Sequence, residues 1–293
     1  MVLLSGKSVS QAKKDEARQR SDEYFSLYGR KPLLAVVLIG SDPSSQSYVA
    51  SKRKACEYCN IDHRDCFFDS DISESQLLGF IDSLNKDEGV DGILVQLPLP
   101  SHIDEHKVIL AIDPSKDVDG FHPFNIGSLL LGYPSLVPCT PKGVLQLLDS
   151  YGISTASMDA CILGRSNIVG KPMGALLMQK DRNATVSTCH SLTSDIVPFI
   201  KRADLLISAM GKPELIKASM VKKGAVVIDV GFTRVEDPSS PKGYRIAGDV
   251  DFEEVKEVAG AITPVPGGVG LMTVAMLMHN TLQAAFSARG VSI

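Results

Sequence analysis

The sequence predicts an α/β fold of two domains, each built on a mostly parallel sheet. Three observations carry this expectation. Short, continuous apolar runs such as Leu33 to Ile39 and Ala225 to Val230 have the pattern of strands buried on both faces. Segments of helical spacing separate these runs, as right-handed βαβ units require. The alternation also restarts past Tyr151, and 293 residues suffice for two domains of the usual ~100–200 residues.

In chain order, helical spacing runs from Ser8 to Tyr28 and stops at Gly29. The run Pro32 to Gly40 is a buried strand. Asp42-Pro43-Ser44 opens the next helix with an N-cap and an early proline. That helix ends near Asn60, which tolerates a left-handed conformation. His63 to Phe68 is a strand, Ser73 to Asn85 a helix capped by Ser73, and Val90 to Gln96 a strand closed by Leu97-Pro98-Leu99-Pro100. Lys116 to Pro123 reads as a polar loop. A helix from Thr140 to Tyr151 holds the crossing between the domains, expected as 1–145 with 271–293, and 146–270. Ala160 to Leu163, Thr185 to Cys189, Asp204 to Ser208 and Ala225 to Val230 are the strands of a small doubly wound sheet. Arg234 to Tyr244 reads as an exposed loop. After the Pro/Gly-dense stretch Ala261 to Gly270, a last helix runs from Met272 to Ala288.

Composition excludes some function classes. With 44% hydrophobic and 22% charged residues and a net charge of −4, nothing marks a nucleic-acid partner. No apolar run approaches ~18 residues, so no membrane span is expected. The N-terminus lacks a secretory or transit pattern, which makes the cytoplasm the default. Six cysteines are scattered, and Cys56-x-x-Cys59 lacks the partners a zinc site needs. No metal is expected.

Tyr48 and Lys52 stand one helical turn apart on one face. A ring beside an amine offers a flat surface for an aromatic ligand and a proton-transfer group next to it; alone, the pattern far more often marks an ordinary surface helix with a solvated lysine. Gly164-Arg165-Ser166-x-x-x-Gly170-x-Pro172 lies between a strand and a helix, where a dinucleotide pyrophosphate is held by free backbone N–H groups. Arg165 beside it suits a 2′-phosphate, and no acid follows the next strand until Asp195, so NADP is favoured over NAD. Gln96 and Asp119 lie at strand ends or loops of the first domain. Asp119 either receives a paired donor, such as the amino and ring N–H of a pterin, or makes an Asx turn.

Eight stretches occur in order: YVASKRKACE, VQLPLP, KDVDGF, PCTPKG, GRSNIVGKP, ATVSTCHS, GDV and ITPVPGGVG. Together they resemble the bifunctional methylenetetrahydrofolate dehydrogenase/methenyltetrahydrofolate cyclohydrolase family over nearly the whole chain. The resemblance implies an N-terminal folate-binding catalytic domain, a Rossmann-like NADP-binding domain, a cleft between them, a homodimer, and tetrahydrofolate derivatives as ligands. It implies that Lys52 is catalytic, Tyr48 stacks on folate, Gln96 partners Lys52 and Asp119 anchors the pterin. Val95, Leu97, Pro266, Gly267, Gly268, Val269 and Gly270 would line the folate site. Gly164, Arg165, Ser166 and Ser191 would contact NADP, with Phe232 near the nicotinamide. The implied reactions are oxidation of 5,10-methylenetetrahydrofolate and hydrolysis of the 5,10-methenyl product to 10-formyltetrahydrofolate. Three positions depart from the family pattern: Cys59-Asn60, Leu271 and Phe232. Two rival readings are a shikimate dehydrogenase-like NADP oxidoreductase, which would want carboxylate anchors in place of a stacking Tyr, and a catalytically silent folate- or nucleotide-binding regulator.

Overall fold

A computed structural model describes residues 1–133, 135–240 and 243–291. The strands are, in order, β1 (Val2–Leu3), β2 (Leu33–Ile39), β3 (Asp62–Phe68), β4 (Gly92–Val95), β5 (Asp159–Leu163), β6 (Thr185–Cys189), β7 (Leu205–Ser208), β8 (Val226–Asp229), β9 (Thr233–Glu236), β10 (Tyr244–Ala247) and β11 (Ala261–Ile262). The chain divides into two compact units, one of Gln11–Cys139 with Val274–Ile293, the other of Met1–Ser10 with Thr140–Thr273.

The first of these units holds a parallel sheet in the order β3-β2-β4. Residues Leu34 to Ile39 of β2 are all buried, as a central strand covered on both faces must be. One face carries Ala35, Val37, Ile39, Ile93 and Val95, packed with Leu77, Ile81 and Leu84 of the Glu74–Lys86 helix. That helix starts in a capping box: Ser73 accepts from the Gln76 N–H while the Gln76 side chain accepts from the Ser73 N–H. At the rim Arg30 grips Asp91 with two bonds of 2.7 and 2.8 Å, and Asp91 also accepts from the Leu33 N–H at 2.8 Å. The helix Glu105–Ala111 and the helix Pro123–Leu131 are additions to the sequence reading. Each carries its own start signal, with Asp104 and His122 accepting from the N–H two residues on.

The other unit holds a six-stranded sheet in the order β1-β11-β8-β7-β5-β6, parallel at every pairing. Its core gathers Leu163, Leu206, Val227, Ile262, Ile200 and Val255. The four strands expected here are all present. The sequence reading gave residues 1–10 to the folate-binding domain; in the structure β1 adds an edge to this sheet through β11. Two-residue strands leave no periodicity to detect. The expected loop Arg234 to Tyr244 is corrected: its ends belong to an antiparallel ribbon in which Thr233 faces Ala247 and Glu236 faces Tyr244.

The last helix, Val269–Ser287, is by length and composition alone apolar enough to cross a membrane, although His279, Asn280 and Gln283 keep it from being one continuous apolar run. Two-thirds of its apolar window is buried within the protein (67%). Phe286, for example, packs edge-on against Tyr24 at 5.2 Å. Its hydropathy is therefore that of a core helix.

Candidate functional site

In the three-stranded sheet the chain leaves β2 for β3 on one side and returns to β4 on the other. The carboxyl ends of β2 and β4 thus form the switch point where such sheets open a crevice. Both parts of the expected catalytic group grow from it. After β2, Asp42 caps the Pro43–Tyr58 helix, accepting from the Ser45 N–H at 2.8 Å, with Pro43 in the first turn. Asn60 closes this segment at φ +57°, as its tolerance for the left-handed region allows. One helical turn beyond the start lies Tyr48, 44% exposed, and one further turn brings Lys52. After β4, Gln96 follows directly on Val95.

Lys52 Nζ donates to Gln96 Oε1 at 2.8 Å. The amide is fixed in that orientation because its Nε2 donates to the Leu97 carbonyl at 2.7 Å. Burial pulls the Lys52 amine below the ordinary lysine range, and the nearby charge of Asp119 opposes that pull. Burial also pushes the Asp119 carboxyl up to about 6, against the lowering effect of Lys52 and with a smaller raising effect from Asp117. Lys54, two residues on, is exposed and has turned away.

The two acids of the Asp117-Val118-Asp119 loop divide the roles that sequence alone left open. Asp117 makes the turn: it is 2% exposed and accepts from Gly120 N–H (3.2 Å), His122 N–H (2.8 Å) and Asn125 Nδ2 (3.0 Å). Asp119 is released from backbone duty toward Lys52. The loop is pinned on two further sides. Lys116 Nζ donates to the carbonyls of Leu84, Asn85 and Asp87, closing the C-terminal end of the Glu74–Lys86 helix. Asn280, fully buried, donates to the carbonyls of Val118 and Val137, each at 2.8 Å. Sequence reasoning missed Asn280; no local pattern marks a lone amide whose partners lie far along the chain. Beside Asp119 a recess is lined by Val95, Leu97, Val108, Ile112 and Phe121. Cys56 and Cys59 are both buried, with thiols pushed up to about 12 by burial, so neither is a ready nucleophile.

The six-stranded sheet has its own switch point, where β6 and β7 flank β5. Gly164 stands there at φ +122°, where an added Cβ would lie 2.4 Å from the Ala209 carbonyl oxygen. Only glycine fits that backbone. Ser166 Oγ accepts from Val169 N–H (3.1 Å) and Gly170 N–H (3.4 Å) and so shapes the entry to the Gly170–Leu177 helix. Arg165 and Ser166 are exposed, as is Ser191 after β6. In that second loop Asp195 accepts from the Val197 N–H at 2.9 Å, and His190 Nδ1 accepts from the Leu192 N–H at 3.2 Å. The first acid past β6 is thus engaged with its own helix start. These residues fit a dinucleotide carrying a 2′-phosphate: an open glycine turn, an exposed guanidinium and, among the described residues, no acid in place for a ribose hydroxyl.

Phe232 is 52% exposed just past β8. Of the Pro266 to Gly270 stretch, Pro266 and Gly270 are exposed, whereas Gly268 and Val269 are buried. Gly267 accepts through its carbonyl from the Gly6 N–H at 2.8 Å, which ties the stretch to the chain's N-terminal segment. Leu271, 42% exposed, stands in the first turn of the last helix.

Two family models match in tandem. Residues 4–119 match the catalytic domain of tetrahydrofolate dehydrogenase/cyclohydrolase, and residues 138–289 its NAD(P)-binding domain. The chain belongs to the tetrahydrofolate dehydrogenase/cyclohydrolase family. A relative from Salinibacter ruber, named bifunctional protein FolD, is 53% identical over 97% of this chain and 95% of its own. The crystal structure of the bifunctional FolD enzyme of Campylobacter jejuni matches with a TM-score of 0.93 at 47% identity, covering 98% of this chain and 99% of that one. The Trypanosoma brucei enzyme, described as complexed with NADP cofactor and inhibitor, matches at 37% identity with a TM-score of 0.93, over 100% of this chain and 99% of that one. The two α/β units with parallel sheets are therefore the family's fold, and the shikimate dehydrogenase-like reading is set aside.

Proposed function

We propose that this chain oxidises 5,10-methylenetetrahydrofolate with NADP and hydrolyses the 5,10-methenyl product to 10-formyltetrahydrofolate. The observation that carries the reading is the Lys52 amine, depressed by burial, held at 2.8 Å by an amide that is itself fixed, one turn from an exposed Tyr ring. Relatives named bifunctional FolD at about half identity along the whole chain support both activities.

For the oxidation the residues supply position more than chemistry. Tyr48 offers a stacking face, and Asp119, set free by Asp117, is the partner for a paired N–H donor on the pterin. Val95, Leu97 and the Pro266 to Gly270 stretch complete the folate lining in this reading. Gly164, Arg165, Ser166 and Ser191 would hold the dinucleotide, and the exposed Phe232 would serve its nicotinamide side. NADP, when bound, accepts the hydride from the methylene carbon, and the remaining cation is delocalised over two nitrogens, so no strong base is needed.

Hydrolysis needs a proton carrier. Water adds to the methenyl carbon as the neutral Lys52 amine takes one of its protons. The lysine then delivers a proton to the ring nitrogen as the carbon–nitrogen bond breaks and the formyl group stays on the other nitrogen; one proton is released overall. Gln96 keeps the amine aimed through both steps. A homodimer belongs to the same reading and is checked by light scattering.

The test is to follow NADPH formation from methylenetetrahydrofolate and the decay of methenyltetrahydrofolate, with NADP and with NAD. Both steps are expected, with kcat/KM for NADP at least about tenfold above that for NAD, as a paired Arg–phosphate contact supports. Absence of either step, or a preference for NAD, overturns the corresponding part.

A further inference from the structure

Two buried carboxylates at the carboxyl edge of the six-stranded sheet have no part in the reactions above. Asp249 is fully buried and Asp229 is 3% exposed. Among the described residues neither forms an ion pair; both are held by hydrogen-bond donors. Asp249 Oδ2 accepts from Ser208 Oγ (3.0 Å) and Met210 N–H (2.7 Å), and its Oδ1 from Lys212 N–H (2.8 Å). Asp229 accepts from the N–H groups of Gly231 (2.9 Å), Asp249 (3.0 Å) and Val250 (2.9 Å). The backbone closes on them tightly. A Cβ at Gly248 would lie 1.9 Å from Asp229 Oδ2, and one at Gly231 would lie 2.5 Å from Asp249 Oδ1.

A buried carboxylate without a cation is costly, and a set of donors from one turn is what makes it tolerable. The set here is directional. Asp249 gathers the turn after β7, and that turn places the Ala209 carbonyl against Gly164 of the phosphate loop. Asp229 fixes Asp249 and Gly231, next to the exposed Phe232. The two acids therefore join the turn that backs the pyrophosphate loop to the one that presents the nicotinamide-side ring.

We propose that Asp249, seated by Asp229, is a positioning residue for hydride transfer: it sets the turns after β7 and β8 against the bound dinucleotide and is not required for hydrolysis. The inference rests on NADP occupying this edge. Asp249 is the informative residue because Asp229 also borders the folate stretch, its N–H donating to Thr263 Oγ1 at 2.7 Å.

The test is Asp249→Asn, nearly isosteric, in which an NH2 group replaces one acceptor oxygen and leaves either Met210 N–H or Lys212 N–H facing another donor. NADPH formation is expected to fall at least about tenfold, as loss of a charge-assisted bond implies, while methenyl hydrolysis stays within about threefold of the parent. A milder variant, Ser208→Ala, removes one donor from the same oxygen and should lower NADPH formation about threefold with hydrolysis intact, which keeps the test available if Asp249→Asn does not fold. Equal losses of both activities, or unchanged NADPH formation in either variant, would overturn the proposal. Failure of the underlying reading looks different: the parent itself would make no NADPH.

Discussion

Replacing Gln96 by Glu keeps the shape of the side chain and exchanges its amide for a charge 2.8 Å from Lys52 Nζ. Two opposite unit charges at that distance attract by about 6 kcal/mol at an effective dielectric near 20. Lys52 is only half-buried, so about half of this, ~3 kcal/mol, is the working figure, equivalent to about two pH units. The sign follows from the lysine. It accepts a proton only as the neutral amine, whose fraction rises as pH climbs through a pKa that burial has lowered. A carboxylate favours the ammonium and raises that pKa. The rising limb of the hydrolysis pH profile should therefore move up by about two units, with a ~100-fold loss at a fixed pH below it. Hydride transfer consumes no such proton and should fall by less than about tenfold. Rates of methenyl decay and NADPH formation across pH give both numbers. A limb at the parent's position, with hydrolysis preserved, would refute the reasoning.

Other perturbations reach the remaining parts. Arg165→Ala should weaken NADP by at least about tenfold and leave NAD nearly unchanged in kcat/KM; equal losses would remove the 2′-phosphate contact. Gly164→Ala drives a Cβ to 2.4 Å from the Ala209 oxygen and should abolish calorimetrically measured NADP binding while methenyl hydrolysis persists. Asp91→Ala removes the carboxylate shared by Arg30 and the Leu33 N–H, leaving Arg30 its bond to the Lys31 carbonyl at 3.1 Å, and should lower the unfolding free energy by about 2–4 kcal/mol in urea titrations. A loss below about 1 kcal/mol would mean that the pair contributes like an exposed one.

Much of the fold was legible because buried parallel strands write continuous apolar runs, as Leu34 to Ile39 do. The caps Asp42 and Ser73 were equally readable, since a short polar side chain before a helix has a local task. What escaped had signals too short or overruled. β1 and β11 span two residues each. The β9–β10 ribbon does alternate, with Arg234, Glu236 and Arg245 outward, but its charge made it read as loop. In the site, the shared helix face of Tyr48 and Lys52 and the strand-end place of Gln96 were readable from spacing, whereas the pairing of Gln96 with Lys52 was legible only through the family resemblance. That Asp117 makes the turn and Asp119 faces the lysine was not readable, because two acids one residue apart offer the same chemistry until backbone donors choose between them. Asn280 and Asp249 act on partners far away in sequence, and such long-range hydrogen bonds have no periodicity to read.

Hydrolysis depends most directly on one lysine. Lys52→Met keeps length and burial and removes the amine, and methenyl hydrolysis is its readout. The predicted rate lies below about a hundredth of the parent's, in line with the loss of a general acid–base group. Hydrolysis continuing above about a tenth of the parent rate would contradict the role given to Lys52.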